Sequence, residues 1–197
     1  MPQVSLDDMI SALASEPTLA SFPTDTVPAL ATHPEQSHLI YTAKQRPPEK
    51  PIIIMGASFQ DLRPYIQGNT QALKAWESQT QQHWPGQLTL VLPASDDAPK
   101  GLNPLNTGTL GIRVPNHPIA LELLTQTGPL ATTSANLSGQ PPLTTAADIA
   151  HTFPTALTLK PKCYSATHSS GQPSTVAQWT STGWKILRQG KIHLKPT

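Results

Sequence analysis

The segment Pro51-Ile52-Ile53-Ile54-Met55 is a short, unbroken apolar run, the pattern of a strand buried on both faces. Looser versions recur at Thr18 to Phe22, stopped by Pro23, and at Gln87 to Leu92, after the turn Trp84-Pro85-Gly86. Two more lie at Gly108 to Val114, closed by Pro115, and at Leu130 to Thr133. Helical patterns alternate with them. Ser5 ahead of Leu6, Ile10 and Leu13 predicts a capped amphipathic helix, and Ser37 can cap a second one carrying Leu39, Ile40 and Ala43. Further helices are expected around Phe59 to Ile66, Thr70 to Ser78 and Thr145 to His151. Pro118 suits the first turn of another, holding Ile119, Leu121, Leu123 and Leu124. Short strands follow at Ala156 to Leu159, Thr175 to Trp179 and Trp184 to Arg188. The polar stretch Pro161 to Pro173 between them reads as a mobile loop. Strands interleaved with helices predict a single α/β domain over residues 1–197, built on a mixed, twisted, open sheet.

The 22 prolines among 197 residues are about twice the usual share. They fall between apolar runs, which marks a loop-rich globular chain rather than a disordered one. Thirteen Lys+Arg against 12 Asp+Glu leave a net charge of +1, so no global field recruits nucleic acid or a membrane surface. No apolar run approaches the ~20 residues of a membrane span, and the start lacks the basic and apolar regions of a secretory signal. The expected location is cytoplasmic, with no membrane partner. The single cysteine, Cys163, forms no intramolecular disulfide, and it lies in a polar stretch with His168 nearby in sequence.

Two stretches carry the chemistry. Ala43-Lys44-Gln45-Arg46-Pro47-Pro48-Glu49-Lys50 places three cations within seven residues, at a helix end and directly before the apolar strand. Arg offers phosphate a two-pronged fork and Lys a point charge, although a solvated basic turn has the same composition. Thr132-Thr133-Ser134-Ala135-Asn136-Leu137-Ser138-Gly139 sets hydroxyls and a carboxamide just after a strand, where ligand-binding loops of α/β sheets lie. Pro23-Thr24-Asp25-Thr26 repeats that layout, or is simply a capped turn. Arg113 stands inside an apolar strand, so it must snorkel, pair with a carboxylate or meet an anionic ligand; pairing is the default. There is no GxxxxGK[ST], GxGxxG or GxSxG motif, and the seven histidines show no metal-ligand spacing.

In chain order, several segments resemble the YrdC-like family, the threonylcarbamoyl-AMP synthases. They are Ser21-Phe22-Pro23-Thr24-Asp25-Thr26-Val27, Lys44-Gln45-Arg46-Pro47, Trp84-Pro85-Gly86-Gln87-Leu88-Thr89 and Gly111-Ile112-Arg113-Val114-Pro115-Asn116-His117-Pro118. Thr133-Ser134-Ala135-Asn136-Leu137-Ser138-Gly139, Pro173-Ser174-Thr175-Val176 and Ile186-Leu187-Arg188-Gln189-Gly190 complete the set. The resemblance implies a twisted open sheet with flanking helices and a concave basic cleft, in the short, single-domain form of the family. It also implies a reaction: L-threonine, bicarbonate and ATP give threonylcarbamoyl-AMP and pyrophosphate. A separate transferase complex then uses the product to modify tRNA.

On this resemblance Lys44, Arg46, Lys50 and Arg188 serve the phosphates, with Thr89, Ser134 and Asn136 on the nucleotide. Thr26, Thr132, Ser174 and Arg113 line the threonine pocket. No protein nucleophile is expected, because the substrate carbamate attacks. Mg²⁺ arrives on ATP, with no dedicated metal site and no tightly bound cofactor. The chain departs from the family at Val27-Pro28-Ala29-Leu30, where relatives carry an aromatic residue and a glycine after the valine. Other readings stay open: a YciO-like paralogue without synthase activity, a carbamoyl-adenylate former acting on another carbamate, or a module of this fold binding duplex RNA weakly.

Overall fold

A computed structural model of the chain describes residues 3–164 and 169–194. Its ten strands are β1 (Gln3–Val4), β2 (Ala20–Phe22), β3 (Ala29–Thr32), β4 (Ile53–Met55), β5 (Leu88–Pro93), β6 (Thr109–Arg113), β7 (Leu130–Ser134), β8 (Leu157–Leu159), β9 (Thr175–Thr180) and β10 (Gly183–Arg188). They form one open sheet in the order β1-β8-β2-β3-β7-β4-β6-β5-β9-β10. Pairing is mixed: β1 with β8, β8 with β2, β4 with β6 and β5 with β9 run parallel, and the other neighbours antiparallel. Among the described residues six α-helices complete the fold: α1 (Leu6–Ser15), α2 (His38–Lys44), α3 (Phe59–Leu62), α4 (Thr70–His83), α5 (Pro118–Thr127) and α6 (Ala146–Thr152).

The alternation of side chains along each strand divides the apolar residues between two cores, one on each face of the sheet. Leu30, Ile54, Leu90 and Ile112 enter one core, with Ile40 of α2, Trp76 of α4 and Ile149 of α6. Ala29, Ala31, Met55 and Leu130 enter the other, where Met9 and Leu13 of α1 meet Ala120, Leu123 and Leu124 of α5. Helices therefore cover both faces, as a mixed sheet of apolar strands requires.

The expected elements are present with shifted ends. Ser5 caps α1 in a capping box with Asp8. Ser37 makes no capping hydrogen bond; it is buried and helical in backbone, continuing the 3₁₀ turn Pro34–Gln36 into α2. The helix expected over 59–66 stops at Leu62, where Pro64 forces a 3₁₀ turn. Helix α4 runs five residues beyond Ser78, to His83. Two strands, β1 and β3, were not expected. Strand β3 is Ala-Leu-Ala-Thr, a poor strand by propensity, yet wholly buried and paired on both sides by β2 and β7. The polar 161–173 stretch begins with a 3₁₀ turn at Pro161–Tyr164, and the Tyr164 hydroxyl donates to the Ser21 carbonyl at 2.6 Å. Residues 165–168 lie outside the described part. Among the described residues no helix is long and apolar enough to cross a membrane.

Ile54 is fully buried at the centre of the sheet and Leu105 is 55 % exposed. Ile54→Ala is expected to lower unfolding free energy by about 2–5 kcal/mol. Leu105→Ala should change it by no more than about 0.5 kcal/mol. Urea denaturation of the two variants checks the contrast.

Candidate active site

On the face carrying α1 and α5, the sheet beyond those helices opens into a cavity of about 220 Å³. Ala29, Ile53 and Met55 form its apolar floor, so β4 is covered by protein on one face and borders the cavity with the other. Thr26, Thr89, Thr132, Ser134 and Ser174 bring hydroxyls to the wall, and Arg46, Arg113 and Arg188 bring three guanidinium groups.

Each arginine is held by its own neighbours. Gln45, in the left-handed conformation (φ 50°), ends α2 and turns the chain so that Arg46 faces the cavity. Arg46 donates from Nε to the Lys50 carbonyl at 2.7 Å and from Nη2 to the Pro51 carbonyl at 2.8 Å. Arg188 donates from Nε to the Ser174 carbonyl at 3.0 Å and from Nη2 to the Ser174 hydroxyl at 3.2 Å. Ser174 Oγ also lies 2.8 Å from Thr89 Oγ1, linking β5 and β9 to Arg188. Gly190 makes this approach possible: a side chain there would meet the backbone of Pro173, Ser174 and Thr175 at 2.5–2.8 Å.

Arg113 is the most enclosed of the three. Its Nη2 lies 2.6 Å from Asp25 Oδ1 in a buried ion pair. Its Nη1 donates to Thr26 Oγ1 at 2.9 Å and its Nε to the Gly86 carbonyl at 3.0 Å. Burial pulls the guanidinium pKa down and Asp25 opposes that shift. Arginine has five N–H donors, and these bonds use three, leaving two. The Asp25 carbonyl accepts from Gln87 Nε2 at 2.8 Å and from Ser170 N–H at 3.0 Å. The Thr26 carbonyl accepts from Gly171 N–H at 2.9 Å and from the Ser169 hydroxyl. The described end of the polar loop is thus fastened to the 25–26 segment rather than loose.

The structure brings Arg46, Arg113, Arg188, Thr26, Thr89, Thr132, Ser134 and Ser174 to one cavity. Thr132 Oγ1 is buried with no protein partner among the described residues. Three sequence candidates stand elsewhere. Lys50 is exposed and contributes its carbonyl, which anchors Arg46. Lys44 is 1 % exposed, and its amine donates to the carbonyls of Ser134 and Asn136 and, at 3.4 Å, to Asn136 Oδ1. Asn136 spends its amide inside its own turn: Oδ1 accepts from the Ser134 hydroxyl, and Nδ2 donates to the Leu137 and Gln140 carbonyls. Burial, with a smaller effect from Arg46, pulls the Lys44 pKa down to about 7. Asp25 was missed as a site residue, although pairing with a carboxylate was the default for Arg113 inside an apolar strand. Cys163 packs beside the second core, and His168 lies outside the described residues.

The family model Sua5_yciO_yrdC, described as "Telomere recombination", matches residues 13–190. The chain belongs to the Sua5/YciO/YrdC family. It is 34% identical over 200 residues to the threonylcarbamoyl-AMP synthase of Klebsiella pneumoniae, covering 96% of this chain and 98% of that protein. The solved structure of P. abyssi Sua5 complexed with L-threonine superposes with a TM-score of 0.79 at 30% identity. That match covers 95% of this chain and 55% of the Sua5 chain, so this chain spans about half of Sua5. E. coli YciO superposes equally well, with a TM-score of 0.79, at 23% identity over 97% of this chain and 91% of its own, and so supports the fold alone.

Two predictions follow from the buried charges. Asp25→Ala leaves the Arg113 guanidinium buried without its carboxylate and should cost about 3–5 kcal/mol, while Asp25→Leu combined with Arg113→Met should recover much of it. Denaturant titration of the single and double variants measures both. For Lys44, the unfolded chain binds the extra proton between about pH 7 and the ordinary lysine value of 10.5. Stability therefore rises with pH across that window. Lys44→Met, compared by urea denaturation at pH 7 and pH 9.5, should lose this rise.

Proposed function

We propose that the protein makes threonylcarbamoyl-AMP and pyrophosphate from L-threonine, bicarbonate and ATP. The observation that carries this reading is one cavity in which three anchored arginines face threonine and serine side chains over an apolar floor. The full-length similarity to a named synthase supports it. Threonine and bicarbonate condense with loss of water to a carbamate, whose oxygen attacks the α-phosphorus while the bond to pyrophosphate breaks. The nucleophile is on the substrate, so the protein supplies placement, dryness and positive charge.

Arg46 and Arg188 are assigned to the phosphates. Each is fixed through Nε and Nη2, so Nη1 can meet an oxyanion without the side chain first being ordered. Ser134 and Thr89 are assigned to the nucleotide. Arg113, with its two remaining donors, takes the threonine carboxylate, and Thr26, Thr132 and Ser174 take its polar groups. Mg²⁺ enters with ATP as part of that substrate, and among the described residues no three His, Cys, Asp or Glu side chains cluster as metal ligands. As a nucleotidyltransferase acting in tRNA modification, the protein would work in the cytoplasm and hand its product to a transferase complex.

Pyrophosphate release is expected only when ATP, bicarbonate and threonine are all present. Arg46→Ala and Arg188→Ala should each lower kcat/KM for ATP by about two orders of magnitude, as loss of a preorganised charge contact does. Thr26→Val should act mainly on the KM for threonine. Folded protein that binds ATP but forms no threonine-dependent adenylate would defeat the synthase reading in favour of a YciO-like role. Salt-sensitive retention of duplex RNA would instead favour the binding module.

A further inference from the structure

We propose that Lys44 is a positioning residue that fixes the 134–138 turn from behind, and not a ligand of the phosphates. This deepens the proposed function, because the turn it holds carries the Ser134 hydroxyl into the cavity. Lys44 is the last residue of α2, and Arg46, two residues on, lines the cavity while Lys44 does not. Its stem passes through the protein to bring the amine against two backbone carbonyls of one turn, those of Ser134 and Asn136. The Lys44 carbonyl accepts from Ser138 N–H at 3.2 Å. The turn is therefore grasped at three points, by side chain and main chain of one residue.

The chemistry of the amine suits this task. A lysine amine keeps two N–H donors even when neutral, one for each carbonyl. Without it, the Asn136 carbonyl would lose its donor and the Ser134 carbonyl would keep only the Asn136 N–H at 3.0 Å, in a place that water reaches poorly. Asn136 completes the clamp: its Oδ1 takes the Ser134 hydroxyl and its amide nitrogen closes the loop onto Gln140. A contact with phosphate would require Lys44 to leave these partners. Arg46 and Arg188 already stand in the cavity and need no such move.

Lys44→Met keeps the apolar stem and removes the amine. In the ligand-free variant, the amides of residues 136–140 should exchange with deuterium roughly ten- to a hundredfold faster, as expected when buried hydrogen bonds are lost. AMP and ATP binding should weaken by the same factor, whereas Arg46→Ala should weaken ATP more than AMP. Unchanged exchange at 136–140, or a loss confined to ATP, would overturn the assignment. If Lys44→Met does not fold, reductive methylation of the native protein decides the matter: Lys44 should stay unmodified with and without ATP, while exposed Lys50 reacts. Methylation of Lys44 that ATP blocks would overturn it. Failure to bind any nucleotide would count against the proposed function, and the exchange measurement would still decide the role of Lys44.

Discussion

The buried ion pair between Arg113 and Asp25 joins the segments that make the cavity. Arg113 ends β6, Asp25 sits in the connection from β2 to β3, and the same guanidinium holds the Gly86 carbonyl and the Thr26 hydroxyl. The backbone of Asp25 and Thr26 in turn binds Gln87 and residues 169–171. Four stretches far apart in sequence are fixed to one another through this charged contact and the hydrogen bonds around it. Burying two charges costs several kcal/mol per ion, which only close pairing and further hydrogen bonds repay. Such an arrangement is better explained by the geometry it enforces than by net stability.

The same logic extends to the other two arginines. Arg46 and Arg188 are tied by backbone carbonyls, so their positive charge stands ready at the cavity wall. Fixed dipoles and charges stabilise a transition state best when they need no rearrangement as charge moves. For the proposed adenylate-forming step, the leaving pyrophosphate is where that charge collects. The hydroxyls of Thr89 and Ser174 connect Arg188 to β5 and the start of β9, and Ser134 is carried in on a turn fixed by Lys44. In the proposed assignment Thr26 and Ser174 both meet substrate and brace an arginine, whereas Lys44 acts only as a support.

Much of this could be read from the chain itself. Apolar runs bounded by proline gave away β2, β4, β5 and β6, and a buried partner was the default for Arg113 in such a run. What stayed hidden depended on tertiary context. Strand β3 is rich in alanine and becomes a strand because β2 and β7 pair with it on both sides. Lys44, Arg46 and Lys50 look alike as a cation cluster, yet one is buried, one faces the cavity and one is exposed. That difference arises from the left-handed turn at Gln45, which spacing alone does not reveal. Asp25 was visible as part of a polar turn, but nothing local told it apart from a helix or turn cap.

Pro28 and Ala29, where a departure from the family pattern is expected, lie within this framework rather than outside it. Ala29 opens β3 and forms part of the cavity floor, and the Pro28 carbonyl accepts from Ala135 N–H at 2.9 Å, tying the start of β3 to the turn after β7. The proposed amino-acid side and nucleotide side are therefore continuous. The most direct test is a crystal structure with a non-hydrolysable ATP analogue and L-threonine. It should show the phosphates against Arg46 and Arg188, the threonine carboxylate at Arg113, and the Arg113–Asp25 pair intact. Phosphates bound outside this cavity, or an Arg113 released from Asp25 to reach them, would contradict the account.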